Sequence, residues 1–207
     1  PAAVLQNGVK ITKEPPKGLR ANLRSTFSKL DNDKLNRTDK VGAYQKLLFG
    51  LAFYHALVIE RKKFGPLGWN IGYEFNDTDK DITAAQLELY VASYEEIPFK
   101  VLCQLTSVVN YGGRITDDKD MRTSDIIIAD FFTPKILEEG YKFSSSGRYY
   151  SLTADKDAPF TSYMEYIDSM DLAAEPEVFG MHNNANITCA ITGADEIYSI
   201  ILTLQPR

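Results

Sequence analysis

The sequence predicts a mainly α-helical array with one minor β-hairpin, and three observations carry that prediction. The run from Asp39 to Phe64 keeps apolar residues at helical spacing over several turns. Pro15-Pro16, Gly65-Pro66, Pro98, Gly112-Gly113, Pro134 and Pro176 divide the chain into pieces of helix length. One stretch alone, Tyr141 to Leu152, sets aromatic flanks around a Ser-Gly turn in the manner of a hairpin.

In chain order, Val9-Lys-Ile-Thr12 reads as a short strand, stopped by Pro15-Pro16-Lys-Gly18, whose prolines impose an extended entry. Leu19, Leu23, Phe27 and Leu30 then keep helical spacing, and Asp31 to Asn36 is a polar connector. In the long helix, Tyr44, Leu47, Leu48, Leu51, His55, Val58 and Ile59 trace one face, which Phe49, Phe53 and Ala56 widen. A stripe that broad marks a central core helix. Arg61-Lys-Lys63 falls in its last turn, where the helix dipole favours cations. Asp81 or Thr83 is expected to cap a helix reaching Tyr94, and Pro98 opens another that Gly112-Gly113 closes in a left-handed turn. Thr116 is expected to cap a helix running through Phe131-Phe132, and Pro134 starts a further turn. Helices over Phe160–Met170 and, as one or two pieces, Ile187–Leu204 complete the array.

The 207 residues, 44% hydrophobic and 25% charged, suit a folded globular protein. No window holds the roughly 18 uninterrupted apolar residues of a membrane span, and Pro1-Ala-Ala-Val-Leu-Gln is not a leader peptide. Because position 1 is not Met, the chain reads as a fragment of something longer. Cys103 and Cys189 read as buried reduced thiols of a cytosolic protein, the alternatives being a disulfide or a metal pair. The sequons at Asn36, Asn76 and Asn186 read as chance matches. Between Lys10 and Lys46 ten Lys/Arg face four Asp/Glu, so this arm is strongly basic within a chain of net charge −5. No aromatic platform interleaves these cations as in a nucleic-acid arm, and docking on an acidic face of the same chain is the preferred reading.

No glycine is followed by Lys, so the phosphate-cradling G-x-x-x-x-G-K-[ST] loop is absent. His55 and His182 are far apart and lack ligand neighbours at i+3 or i+4; His55 reads as a core histidine rather than a ligand or base. Asp117, Asp118 and Asp120 could serve a Mg²⁺ ion, but all three fall in a first helical turn, where carboxylates cap free N–H groups. Arg114 is placed to pair with one of them. Trp69, Tyr73 and Phe75 read either as a core plug beneath a loop or as an interface anchor.

Several runs, in order, carry a resemblance. They are Leu5 to Leu23, Phe53-Tyr-His-Ala-Leu-Val-Ile-Glu-Arg61, Glu60 to Asp79, Asn110-Tyr-Gly-Gly-Arg-Ile-Thr-Asp-Asp118, Tyr141 to Tyr150, Pro176 to Ala185 and Leu204-Gln-Pro-Arg207. Together they resemble the dynein heavy chains, at the end of the sixth AAA+ module and its helical lid. Glu96-Ile-Pro-Phe99, the Asn110 run and Phe-Ser-Ser-Ser-Gly-Arg-Tyr-Tyr150 look axonemal. Gly72, Lys119 and Met121 depart from the family's usual residues.

The resemblance implies a helical AAA+ lid, or small subdomain. Residues 1–32 would end the sixth large subdomain as a basic arm and helix, 33–180 would form the lid, and 181–207 would lead into the dynein C-terminal region. It implies a piece that is not an enzyme, with no cofactor of its own, because ATP and Mg²⁺ are held by other modules of a microtubule-dependent ATPase. The implied role is packing between AAA+ modules and transmitting conformational change during movement. Implied partners are neighbouring modules of the same chain and, through the parent, intermediate and light chains and microtubules, with no nucleic acid and no membrane. The implied location is the cytoskeleton of the cytoplasm and the axoneme of the cilium or flagellum. Trp69, Tyr73, Phe75, Arg114, Asp117 and Asp118 are the interface candidates. The competing reading is a generic helical protein-interaction scaffold without a motor role.

Overall fold

In a computed structural model, residues 2–9, 16–155 and 159–204 are described. Nine α-helices are seen there: α1 (Ala2–Asn7), α2 (Leu19–Phe27), α3 (Asn32–Leu35), α4 (Val41–Glu60), α5 (Asp77–Ser93), α6 (Phe99–Gln104), α7 (Asp118–Phe131), α8 (Pro159–Ser169) and α9 (Ala185–Leu204). Short 3₁₀ segments join several of them.

Helix α4 is the axle. Every residue from Tyr44 to Val58 is buried, and α2, α5 and α7 pack around it. Its polar residues are satisfied inside the array. Gln45 donates to Asn36 Oδ1 (2.9 Å), Lys46 Nζ donates to the Leu137 carbonyl (2.8 Å), and Tyr54 pairs with Ser124 Oγ (2.7 Å). Burial raises the Tyr54 phenol well above its usual range. At Gly50 a Cβ would strike Ile136 and the Phe131 carbonyl, so the missing side chain is what lets the Phe131–Ile136 corner close on the axle.

Aromatic rings fill the far side of α4. Phe49 lies 5.5 Å from Phe27, 5.1 Å from Tyr163 and 5.7 Å from Tyr166, centroid to centroid. Phe53 meets Phe131, Phe143 and Tyr149 at 5.0–5.5 Å. The same core takes in Leu19, Leu23 and Phe27 of α2, so it is continuous across residue 32.

The hairpin expected over 141–152 is reduced to one antiparallel bridge, Lys142 with Tyr150, flanked by Phe143 N to Tyr149 O (2.8 Å) and Ser151 N to Tyr141 O (2.7 Å). Gly147 supplies the positive φ of 73° at its turn.

Several boundaries move. Residues 2–7 are helical, consistent with their Ala, Leu and Gln content, and Lys10–Thr12 of the expected strand lie outside the described residues. The polar connector holds the single turn α3, because Asp31 accepts from Lys34 N (2.8 Å). Helix α4 stops at Glu60 and tightens into a 3₁₀ segment, Arg61–Leu67, broken by Gly65 at φ 56° ahead of Pro66. Helix α5 begins at Asp77, earlier than Asp81 or Thr83, because Asn76 and Asp79 form a reciprocal capping box. The Asp117 side chain, rather than Thr116, caps α7.

The helix after Pro98 widens into a π-type turn over Leu105–Asn110, rotating Thr106 and Ser107 inward and leaving Val108 and Val109 exposed. Gly112-Gly113 has no positive φ. Gly112 is instead needed because a Cβ there would collide with the Ser107 carbonyl.

The basic arm docks on carboxylates of its own chain. Arg20 and Arg24 meet Asp168, Lys29 meets Asp77 at 2.5 Å, and Arg37 meets Glu88 at 3.5 Å. Such exposed pairs contribute about 0–1 kcal/mol each, so they orient the arm more than they hold it.

Candidate interface at the aromatic turn

Residues 61–75 leave the end of α4, reverse, and return to start α5. Two buried, oppositely charged side chains clamp this turn. Arg61, 7% exposed, donates Nε to the Gly68 carbonyl (3.2 Å) and Nη1 to the Phe179 carbonyl, and its guanidinium lies over the Trp69 ring at 5.2 Å. Burial lowers its pKa to about 10, so it stays charged at neutral pH. Asp120, 4% exposed, accepts from Asn70 N (3.0 Å), Ile71 N (3.2 Å) and the Tyr73 hydroxyl (2.9 Å). A buried carboxylate with three donors is a charge-assisted anchor for the backbone it binds.

The rings beneath the turn close on themselves. Trp69 packs against Tyr73 at 5.9 Å and Phe75 at 5.7 Å, and its indole N–H donates to the Val58 carbonyl at 2.9 Å. Trp69, Tyr73 and Phe75 are 3%, 7% and 9% exposed, so their faces are spent within the chain. What the turn presents outward is Leu67, Ile71 and the charged pair Lys62–Glu74.

The other three candidates ring the turn. Asp117 is half-buried and caps α7 through Lys119 N (2.9 Å) and Asp120 N (3.1 Å), while also accepting from Asn70 Nδ2 (3.1 Å). The Asn70 amide is the first cause of its lowered pKa. Asp118 is exposed. Arg114 does not pair with this acidic cluster; its Nε donates to Asp79 Oδ2 at 2.7 Å, tying the capping box of α5 to the segment before α7. Among the described residues no group of His, Cys, Asp and Glu is arranged to hold a metal ion.

A second polar junction lies behind the turn. His55 Nδ1 pairs with the Tyr111 hydroxyl at 2.9 Å, and Nε2 lies 3.7 Å from Asp77. Burial drives the His55 pKa down to about 4, so the ring is neutral at physiological pH and fills a core role. The half-buried Cys103 donates to the Phe132 carbonyl, burial raising its pKa to about 11; Cys103 and Cys189 are both free thiols. His182 accepts from Asn184 N at 3.2 Å at the start of α9.

Sequence reasoning missed Arg61 and Asp120. From the sequence Asp120 reads as one of the capping carboxylates, and no pattern in one sequence says that its side chain turns to the loop. Arg61 sits in a basic triplet that suits a helix end, and its carbonyl partner in Phe179 is remote in sequence.

Comparison with known proteins decides the lineage. The family described as the dynein heavy chain AAA lid domain matches residues 44–185, which take in α4 from Tyr44 onward, α5 to α8 and the whole aromatic turn. The chain belongs to this dynein lid family. Across all 207 residues it is 43% identical to human dynein axonemal heavy chain 6 and 44% identical to human dynein axonemal heavy chain 1. Mouse dynein axonemal heavy chain 12 is 44% identical over 99% of the chain. The chain spans 5% of the first two dyneins and 7% of the third. The helical lid expected from the sequence is what the structure contains, and the dynein relatives it resembles are axonemal heavy chains.

Proposed function

We propose that this chain is a non-catalytic lid of a dynein motor ring, packed between AAA+ modules, that carries conformational change from one to the next. The observation that carries the reading is the family match across α4–α8. Two features of the chain support it. The usual phosphate-binding loop is missing from the sequence. The array is built on one axle, buried from Tyr44 to Val58, which suits a body that moves as a unit.

On this reading ATP and Mg²⁺ are held by other modules of the parent chain. Microtubules and the intermediate and light chains are engaged through that parent, in the cytoskeleton of the axoneme. Residues 1–32 end the preceding large subdomain, 33–180 form the lid, and 181–207 lead into the region that follows. The last assignment suits α9, which is long and apolar enough to cross a membrane by length and composition. From Thr188 onward, Thr192, Asp195, Glu196, Ser199 and Thr203 continue one polar face. That pattern fits a helix buried by protein on its apolar side, and the proposal includes neither nucleic acid nor membrane.

At the turn, Trp69, Tyr73 and Phe75 act from beneath, stiffening the loop, while Arg114, Asp117 and Asp118 stand at its rim for contact with the neighbouring module. Calorimetric titration of the chain against the large subdomain of the adjoining module tests this. Saturable binding weakened by Asp118→Lys or Leu67→Asp, with the fold intact by circular dichroism, is the expected result. Full folding with no binding at high concentration would overturn the packing role and favour the generic scaffold.

A further inference from the structure

The Arg61 guanidinium, at the end of α4, hydrogen-bonds both to the aromatic turn and to the segment leading into α9, and Lys63 beside it adds a cation contact over the Phe64 and Phe179 rings. Its acceptors are two backbone carbonyls, Gly68 and Phe179, and its central carbon lies over the Trp69 ring, 5.2 Å from the centroid. On the far side, Phe179 packs edge-on against Phe64 at 5.2 Å. Gly180, at φ 72°, then turns the chain toward α9. Helix α9 packs on the Arg61–Leu67 segment, and at its root Ala185 is buried and Cys189 half-buried, whereas Ile191 and the large apolar residues beyond it are exposed. The direction in which α9 leaves the body is therefore set over a few residues.

We propose that Arg61 is a positioning residue, a clasp whose forked donors lock the root of α9 to the aromatic turn so that helix and turn move together. A planar guanidinium can hold two carbonyls at fixed angles while stacking on an indole; an ammonium is a point donor on a flexible stem and cannot. The clasp thus predicts sensitivity to Arg→Lys, which preserves charge and most of the bulk. It bears on the lid reading as the joint through which motion of α9 would reach α4, yet it is defined on this chain alone.

The test is a spin-label distance measurement on the 207-residue chain. Labels go at Ala92→Cys on α5 and Thr192→Cys on α9, both exposed, with Cys103→Ser and Cys189→Ala removing the native thiols. The parent should give one narrow distance distribution, and Arg61→Lys a broad or displaced one. Hydrogen exchange of Met181–Cys189 should quicken about tenfold while Leu47–Leu57 stays protected. If Arg61→Lys does not fold in plain buffer, the same variant is measured in trimethylamine N-oxide, which strengthens burial without restoring the forked donors. Distance and exchange both unchanged in a folded variant would overturn the clasp while leaving the lid reading intact. Loss of binding to the adjoining module with an unmoved α9 would count against the clasp in the same way.

Discussion

Asp120→Asn is the sharpest perturbation of the aromatic turn. The carboxylate offers Oδ1 to Asn70 N and Oδ2 to both Ile71 N and the Tyr73 hydroxyl. An amide of the same shape has one acceptor oxygen, so its NH₂ must face at least one of these donors. Hydrogen bonds to charged groups contribute about 1.5–3 kcal/mol, and a buried donor left unpaired costs about 1–3 kcal/mol. Asn70 and Ile71 are themselves partly exposed, and water reaching their amides limits the loss. The expected destabilisation is about 2–3 kcal/mol, and Asp120→Ala should cost about 3–5 kcal/mol. Tyr73→Phe removes one of the three donors and the acceptor of Asp117 N, for about 1–1.5 kcal/mol. Urea unfolding reads all three as midpoint shifts at constant slope. Because both residues belong to one network, the double variant Asp120→Asn/Tyr73→Phe should show a coupling of about 0.5–2 kcal/mol. A loss below about 0.5 kcal/mol for Asp120→Asn, or additive effects in the double variant, would refute the clamp.

Other outcomes follow from the same structure. Phe49→Ala empties a site bounded by Phe27, Tyr163 and Tyr166 and should cost about 3–5 kcal/mol by thermal or urea unfolding. Gly112→Ala drives a methyl into the Ser107 carbonyl and should destabilise by about 1–3 kcal/mol, whereas Gly113→Ala, with open space around it, should be neutral or mildly stabilising. His55 has a folded pKa of about 4, depressed from 6.5, so the unfolded chain binds the extra proton first. The neutral ring's contribution is therefore full above about pH 6.5 and lost as pH falls toward 4, a change of at most about 3 kcal/mol that His55→Gln should abolish in a pH series of melts. Asp77, held near a pKa of 2 first by its hydrogen bond from Lys29, loses its contribution only below the His55 window.

Much of the fold was legible because long periodic stripes and Gly/Pro breaks are local signals. The axle could be read from Tyr44 to Ile59 because apolar residues ran around most of its circumference. Boundaries were less legible where a short polar side chain decides them. Asn76 and Asp79 start α5 by a reciprocal cap that the apolar pattern does not register, and the π-type turn at 105–110 shifts the helical phase with no residue to announce it. Legibility at the site divided by range. The burial of Trp69 follows from its place in a rigid turn, whereas the Arg61–Phe179 and Arg114–Asp79 contacts depend on long-range docking that no single-sequence spacing encodes.

The measurement that tests the central claim most directly places Asp120→Asn in the full dynein heavy chain and follows ATP turnover and microtubule gliding together. The proposed reading, a lid that transmits motion without catalysing, predicts basal hydrolysis retained and gliding slowed once the turn has loosened. Loss of basal hydrolysis with the ring intact, or gliding unchanged while the turn is demonstrably loosened, would contradict it.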